Sequence, residues 1–154
     1  MGGSQQTWVR GDLLARFVIP GEPAAKGNSR EIVSIGGQPR LRKGDKALAF
    51  EAVAGRHVPK LEEPYEGDVA VYVRVFYATR RPDLDASLVY DALQTRRVQV
   101  GAGIIMEPRL IANDRQVRLK IEEGFVDPAR PRVEVAVYKA ALKLVPAPAR
   151  EATP

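Results

Sequence analysis

Val69-Ala70-Val71-Tyr72-Val73-Arg74-Val75-Phe76-Tyr77 is the stretch on which the fold turns. Its odd positions hold four valines and a tyrosine. Period-two alternation of β-branched and aromatic side chains predicts a strand buried on one face. Ala78-Thr79-Arg80-Arg81 then leaves the strand, and Pro82 suits the first turn of a helix. Leu84, Leu88 and Ala92 form one helical row and Val89 and Leu93 the next, so the spacing predicts a helix over 82–96.

Upstream, Phe17-Val18-Ile19-Pro20 reads as a short first strand closed by Gly21-Glu22-Pro23. Residues 24–38 read as a loop or loose hairpin broken by Gly27, Asn28, Gly36 and Gly37. Ala47, Phe50, Val53 and Ala54 place one apolar stripe on a helix over 45–57, with His57 as a surface or capping residue. Downstream, Gly101, Gly103 and Pro108 interrupt 98–109, where Ile104-Ile105-Met106 suggests a short edge strand. Val117-Arg118-Leu119-Lys120-Ile121 alternates with Val117 and Leu119 toward the core, which would turn Lys120 and Asp114 away from it. Arg132-Val133-Glu134-Val135-Ala136-Val137-Tyr138 is the last strand. The expected fold is α+β: a small mixed sheet with two main helices on one face. Residues 16–145 would form one domain, with 1–15 as an N-terminal extension and 146–154 as a disordered tail.

Composition narrows the chemistry. With no cysteine, disulfides and thiolate metal sites are excluded, and one histidine leaves little room for a zinc site or a serine–histidine triad. No apolar run is long enough to span a bilayer, and no signal peptide is visible at the start of the chain. The net charge is +5. Its distribution is uneven: residues 1–60 carry +5 and residues 61–124 carry −2. A basic region beside an acid-bearing one suits a polyanion bound by the first and processed by the second.

The acids concentrate at Arg80-Arg81-Pro82-Asp83-Leu84-Asp85 and at Asn113-Asp114-Arg115. Carboxylate oxygens are ligands for hard ions such as Mg²⁺, and the arginines beside them suit phosphate. If Asp85 lies on the helix, it falls in the core-facing row before Val89 and needs a partner such as a cation. Equally, Asp83 or Asp85 could simply cap the helix, a contribution of ~1 kcal/mol. Lys26, Arg30, Arg40, Arg42, Lys43 and Lys46, interleaved with glycines, are candidates for contact with a nucleic-acid backbone, as are Arg80, Arg81 and Arg115.

Pro82-Asp83-Leu84-Asp85, Asp91-Ala92-Leu93, Asn113-Asp114-Arg115-Gln116-Val117 and Pro131-Arg132-Val133-Glu134-Val135, in this order, resemble the RusA family of Holliday-junction resolvases. Gly21-Glu22-Pro23-Ala24-Ala25-Lys26-Gly27 fits the family's opening, and the resemblance spans residues 16–139. It implies a RusA-like homodimer in the cytoplasm of a bacterial host that nicks four-way or other branched DNA symmetrically, using Mg²⁺ for which Mn²⁺ can substitute. Asp83, Asp85 and Asp114 would be the metal ligands, with Asp91 and Asn113 supporting them. The family's Asn after the second acid and Lys four residues after it are here Ala86 and Val89, and the first Asp of the downstream pair is Asn113. Lys120, Arg115 or Arg81 would then supply the missing cation. Two rivals are a ribonuclease-H-like nuclease and a non-catalytic branched-DNA binder. The first would carry its leading acid inside a strand, and the second would have no use for three acids facing DNA.

Overall fold

The computed structural model describes residues 3–24, 30–80 and 83–148. In chain order they form β1 (Ser4–Pro20), β2 (Arg30–Ile35), β3 (Gln38–Lys43), α1 (Asp45–His57), β4 (Val69–Tyr77), α2 (Ser87–Leu93), β5 (Arg96–Val100), β6 (Gly103–Glu107), β7 (Val117–Val126) and β8 (Arg132–Pro146). The main sheet has the order β1-β8-β4-β7. β4 runs parallel to β7 and antiparallel to β8, so the sheet is mixed and the chain is α+β as expected. β2–β3 and β5–β6 are separate antiparallel hairpins.

The alternation in β4 does what its pattern predicts. Val69, Val71, Val73 and Val75 are fully buried and join Val133, Val135 and Val137 of β8 on one face. Phe50 and Ala54 of α1 and Leu88, Val89 and Leu93 of α2 pack into the same core, so both helices cover that face. On the opposite face, Tyr72 meets Tyr138 edge-on at 5.3 Å and Phe76 stacks on Phe125 at 4.9 Å. α1 occupies the predicted span, and His57 ends it with Nδ1 2.9 Å from the Val53 carbonyl oxygen.

Among the described residues one charged side chain, that of Arg109, is built into the core. Arg109 is only 4% exposed, and its Nη1 donates to the Ala92 carbonyl oxygen at 2.9 Å. Its Nε lies 3.5 Å from Glu107 Oε1 without a hydrogen bond to it. Glu107 is held more directly by Lys60 at 2.9 Å, and this hydrogen bond depresses its carboxyl pKa. A Cβ placed on Gly55 of α1 would stand 2.9 Å from Arg109 Nη2. The guanidinium therefore fills the space between the two helices that the glycine leaves free.

A second arginine closes the turn into β8. Arg132 lies 3.8 Å over the Phe76 ring, donates to Asp127 at 2.7 Å and to Glu134 at 3.1 Å. The hydrogen bond from Arg132, helped by the Arg130 amide, lowers the Asp127 pKa. A depressed carboxylate adds stability that is complete above the unfolded pKa, about 3.9 for Asp, and is lost as pH falls through the folded value. Asp127→Asn is expected to lower the melting temperature at pH 7. The gap from the parent should close as pH drops below about 3.9; thermal melts across pH 2–7 measure it.

Several boundaries differ from the sequence reading. β1 starts at Ser4 and pairs with β8 from Ser4↔Pro146 to Pro20↔Arg132. The stretch set apart as an extension over 1–15 is therefore, from Ser4 onward, part of the sheet. α2 is seven residues long and begins at Ser87, not at Pro82. Asp85 Oδ1 accepts from the Ser87 amide at 3.0 Å, so the side chain makes a local turn where the helix was expected to run. Past Leu93 the chain bridges through Gln94 to Ile111 and enters β5. The basic segment is a hairpin whose turn residues Gly36 and Gly37 have φ of 60° and 78°, as a two-residue turn requires. Lys26, Gly27, Asn28, Arg81, Pro82 and 149–154 of the expected tail lie outside the described residues.

Val117 packs against the core as read, but from Leu119 onward the face assignment of β7 is inverted. The register jumps between Val69↔Val117 and Ala70↔Leu119, and thereafter Lys120 lies beside Val71 and Glu122 beside Val73. Lys120 and Glu122 are thus on the helix-covered face. Such an irregularity swaps which parity faces the core. β7 is an edge strand, so these charges sit at the rim rather than in the interior.

Candidate active site

The loop 83–86 crosses the helix-covered face of β7 near Gly124. A Cβ on Gly124 would lie 3.5 Å from Leu84 Cδ1, so Leu84 is seated over this glycine. The flanking acids then open into different clefts. Asp85 lines a cleft of about 240 Å³ with Leu84, Ala86, Ser87, Tyr90, Asp91, Asp114, Lys120 and Glu122. Asp83 lines a neighbouring cleft of about 440 Å³ with Tyr77, Arg80, Leu84, Gly124, Phe125 and Val126. Of the five residues expected to be catalytic, Asp85, Asp91, Asp114 and Lys120 share one cleft, and Asp83 stands across Leu84 from them.

Each wall has its own anchor. Asp85 is part-buried: Oδ1 takes the Ser87 amide, its own amide donates to the Tyr77 hydroxyl at 3.5 Å, and Oδ2 is buried with no hydrogen-bond partner among the described residues. Contrary to the helical-row reading, it precedes α2, and the partner that reading called for is not found among the described residues. Such a group costs about 1–3 kcal/mol or more when charged. Asp114 opens a 3-10 turn (Asp114–Gln116) capped by Asn113, whose Oδ1 accepts from the Arg115 amide at 2.9 Å. Gln116 returns the bond by accepting from the Asn113 amide at 2.9 Å, and its Nε2 donates to the Tyr65 and Gly67 carbonyls. The Asp114 amide donates to Gln94 Oε1 at 3.1 Å, which ties this turn to the end of α2. Asn113 is accordingly a structural cap in place of a charge.

Two participants were not singled out from the sequence. Glu122 accepts from the Tyr90 hydroxyl at 2.7 Å, and Lys120 Nζ lies 4.3 Å from the centroid of the same ring. Burial, and then the Glu122 carboxylate, raise the Tyr90 pKa well above that of a free tyrosine, so its hydroxyl stays a proton donor. The signal for Glu122 was its parity with Lys120; the alternating run was read as ending at Ile121, one residue short. Asp91 also faces a second cleft of about 620 Å³ with Gln94, Thr95, Arg96, Arg97, Leu48 and Glu51. Arg96 and Arg97 thereby extend the basic residues near the acids.

The remaining basic candidates lie on several elements. Arg40 and Arg42 lie on β3, where Arg42 reaches Asp45 at 3.9 Å, and Lys46 is exposed in the first turn of α1. Arg30 begins β2 and Lys43 ends β3. Arg80 borders the Asp83 cleft, and Arg115 is exposed on the 3-10 turn. Arg118 pairs with Asp68 at 3.3 Å.

The acids fit Mg²⁺ by donor chemistry more than by close assembly. Among the described residues, no three His, Cys, Asp or Glu side chains stand close enough to form a metal cluster. Mg²⁺, however, takes one or two protein carboxylates and keeps several waters. A cleft walled by Asp85, Asp91, Asp114 and Glu122, with one buried carboxylate oxygen that has no partner among the described residues, meets that requirement. Among the described residues no helix is long and apolar enough to cross a membrane. No protein-family model matches the chain, and no curated protein matches it.

Proposed function

We propose that this protein is a Mg²⁺-dependent endonuclease that resolves Holliday junctions or other branched DNA, acting as a RusA-like homodimer. The observation that carries the reading is that Asp85, Asp91, Asp114 and Lys120, drawn from the 83–86 loop, α2, the 3-10 turn and β7, line one cleft. Asp85 and Asp114 would hold the ion, joined by Asp83 through movement of the 83–86 loop. When bound, Mg²⁺ or Mn²⁺ supplies Lewis-acid charge at the phosphate and an activated water as nucleophile. Asp91 and Glu122 accept hydrogen bonds and orient water on the opposite walls. Lys120 offsets charge on the scissile phosphate, in the role for which the RusA resemblance leaves no lysine on α2. Arg40, Arg42, Arg96 and Arg97 bind flanking backbone without reading sequence. Two symmetric nicks in a junction of two-fold symmetry call for a dimer with one cleft per subunit.

The test is cleavage of a labelled four-way junction and a matched linear duplex, in Mg²⁺ and in EDTA. Paired nicks in the junction alone, abolished by EDTA, are expected. Equal cutting of the duplex would refute the junction reading. Junction binding without cleavage in either Mg²⁺ or Mn²⁺ would identify a binding protein instead.

A further inference from the structure

Tyr90 touches both charged residues of β7 that face the cleft, through different parts of one side chain. It is buried, with 5% of its surface exposed, and lies on α2 beside the loop that carries Asp85. Its hydroxyl donates to Glu122 Oε1 at 2.7 Å, and its ring face receives Lys120 Nζ at 4.3 Å. Lys120 and Glu122 are two residues apart on one face of an exposed edge strand. Among the described residues the contacts of both are with Tyr90, not with one another. The tyrosine separates the charges: the carboxylate is drawn to the hydroxyl and the ammonium to the π face.

We propose that Tyr90 is a positioning residue of the cleft, fixing Glu122 as a fourth carboxylate toward the metal's water and seating Lys120 toward the phosphate. The inference rests on the reading of the cleft as a Mg²⁺ and phosphodiester site. It divides Tyr90 into two separable parts. The hydroxyl serves the metal side through Glu122, and the ring serves the DNA side through Lys120. A tyrosine that merely filled the core would have no such division.

The experiment measures Mn²⁺ binding to the free protein by electron paramagnetic resonance. It also measures junction binding in Ca²⁺ by anisotropy, with folding checked by circular dichroism. Tyr90→Phe keeps the ring and loses the hydroxyl; it should weaken Mn²⁺ binding about fivefold to tenfold and leave junction affinity unchanged. Glu122→Gln should do the same, and the double variant should be no worse than either single, because the pair acts as a unit. Lys120→Gln should show the converse, weaker junction binding with Mn²⁺ affinity retained. Wild-type Mn²⁺ affinity in both Tyr90→Phe and Glu122→Gln would overturn the inference alone. Additive losses in the double variant would overturn it too. A wild-type protein that binds no Mn²⁺ would instead overturn the metal reading and this inference with it. Glu122→Gln changes an exposed residue, so the test holds even if a Tyr90 variant folds poorly.

Discussion

Asp85→Asn is expected to lose about 10³-fold in junction cleavage, ~4 kcal/mol of transition-state stabilisation, while the protein becomes more stable. The two effects have one cause. Asn keeps the Oδ1 that accepts from the Ser87 amide, so the turn into α2 survives. It replaces a buried carboxylate oxygen, without a partner among the described residues, with a neutral group whose desolvation costs less. A gain of ~1 kcal/mol would raise the melting temperature by about 2–4 °C. Mg²⁺ should reverse the ranking: a ligand at 100 times its dissociation constant stabilises by about 2.7 kcal/mol, and only the parent should respond. Asp114→Asn should match the loss of cleavage and of the Mg²⁺ response. It should not gain stability, because Asp114 is exposed on its 3-10 turn. Asp83→Asn should likewise lose cleavage without becoming more stable, its carboxylate also being exposed. Cleavage rates, together with melts with and without Mg²⁺, measure all of this. An Asp85→Asn protein that cuts normally and melts lower would make Asp85 a turn residue only.

Arg109→Ala is expected to be the most damaging single substitution outside the cleft, costing about 3 kcal/mol. Loss of a charged buried hydrogen bond contributes ~1.5–3 kcal/mol, and truncation leaves a void that the helices only partly close. The melting temperature should fall by about 6–12 °C. Glu107 retains Lys60, so the arginine leaves no orphaned carboxylate behind. Arg109→Met should consequently recover much of the loss, since apolar volume can replace a buried ion at little cost. Gly55→Ala tests the geometry. In the parent the new methyl meets the pinned guanidinium at 2.9 Å and should destabilise. In Arg109→Ala the same change should stabilise by up to ~1 kcal/mol, the ordinary helix preference of Ala over Gly. Equilibrium denaturation of the four proteins gives the coupling. Additive effects would mean that the two residues do not share space.

How much of this was legible follows from where each signal lies. The β4 alternation and the α1 stripe are local patterns, and both elements formed as read. The acids, too, were legible as short motifs, and three of them meet in space with Lys120. The end of α2 was not: Leu84, Leu88 and Ala92 keep helical spacing, but the Asp85 side chain competes for the amide of Ser87 and stops the helix short. β1 was read from its last four residues because Gly11 and Asp12 break the pattern. Its partner β8 lies at the far side of the sequence, with the register shifting between Arg10 and Ala15. A similar shift at the start of β7 reversed the face of Lys120 and placed Glu122 on the same side. Local propensity cannot report a displacement that only the neighbouring strand defines.

The strand order has a consequence for biosynthesis. The three pairings of the main sheet are β1 with β8, β8 with β4, and β4 with β7. Each needs a strand that begins at Val117 or later. A nascent chain that has reached residue 116 can form α1 and the two hairpins, whose contacts are local, but no part of that sheet. Its valine-rich β4 must wait unpaired until translation supplies both neighbours, which is when such segments are open to aggregation. The acids of 83–91 emerge in that interval without the strand that carries Lys120 and Glu122. The cleft is therefore completed only when the sheet closes, so unfinished chains would carry the acidic half of the site and none of its opposing wall.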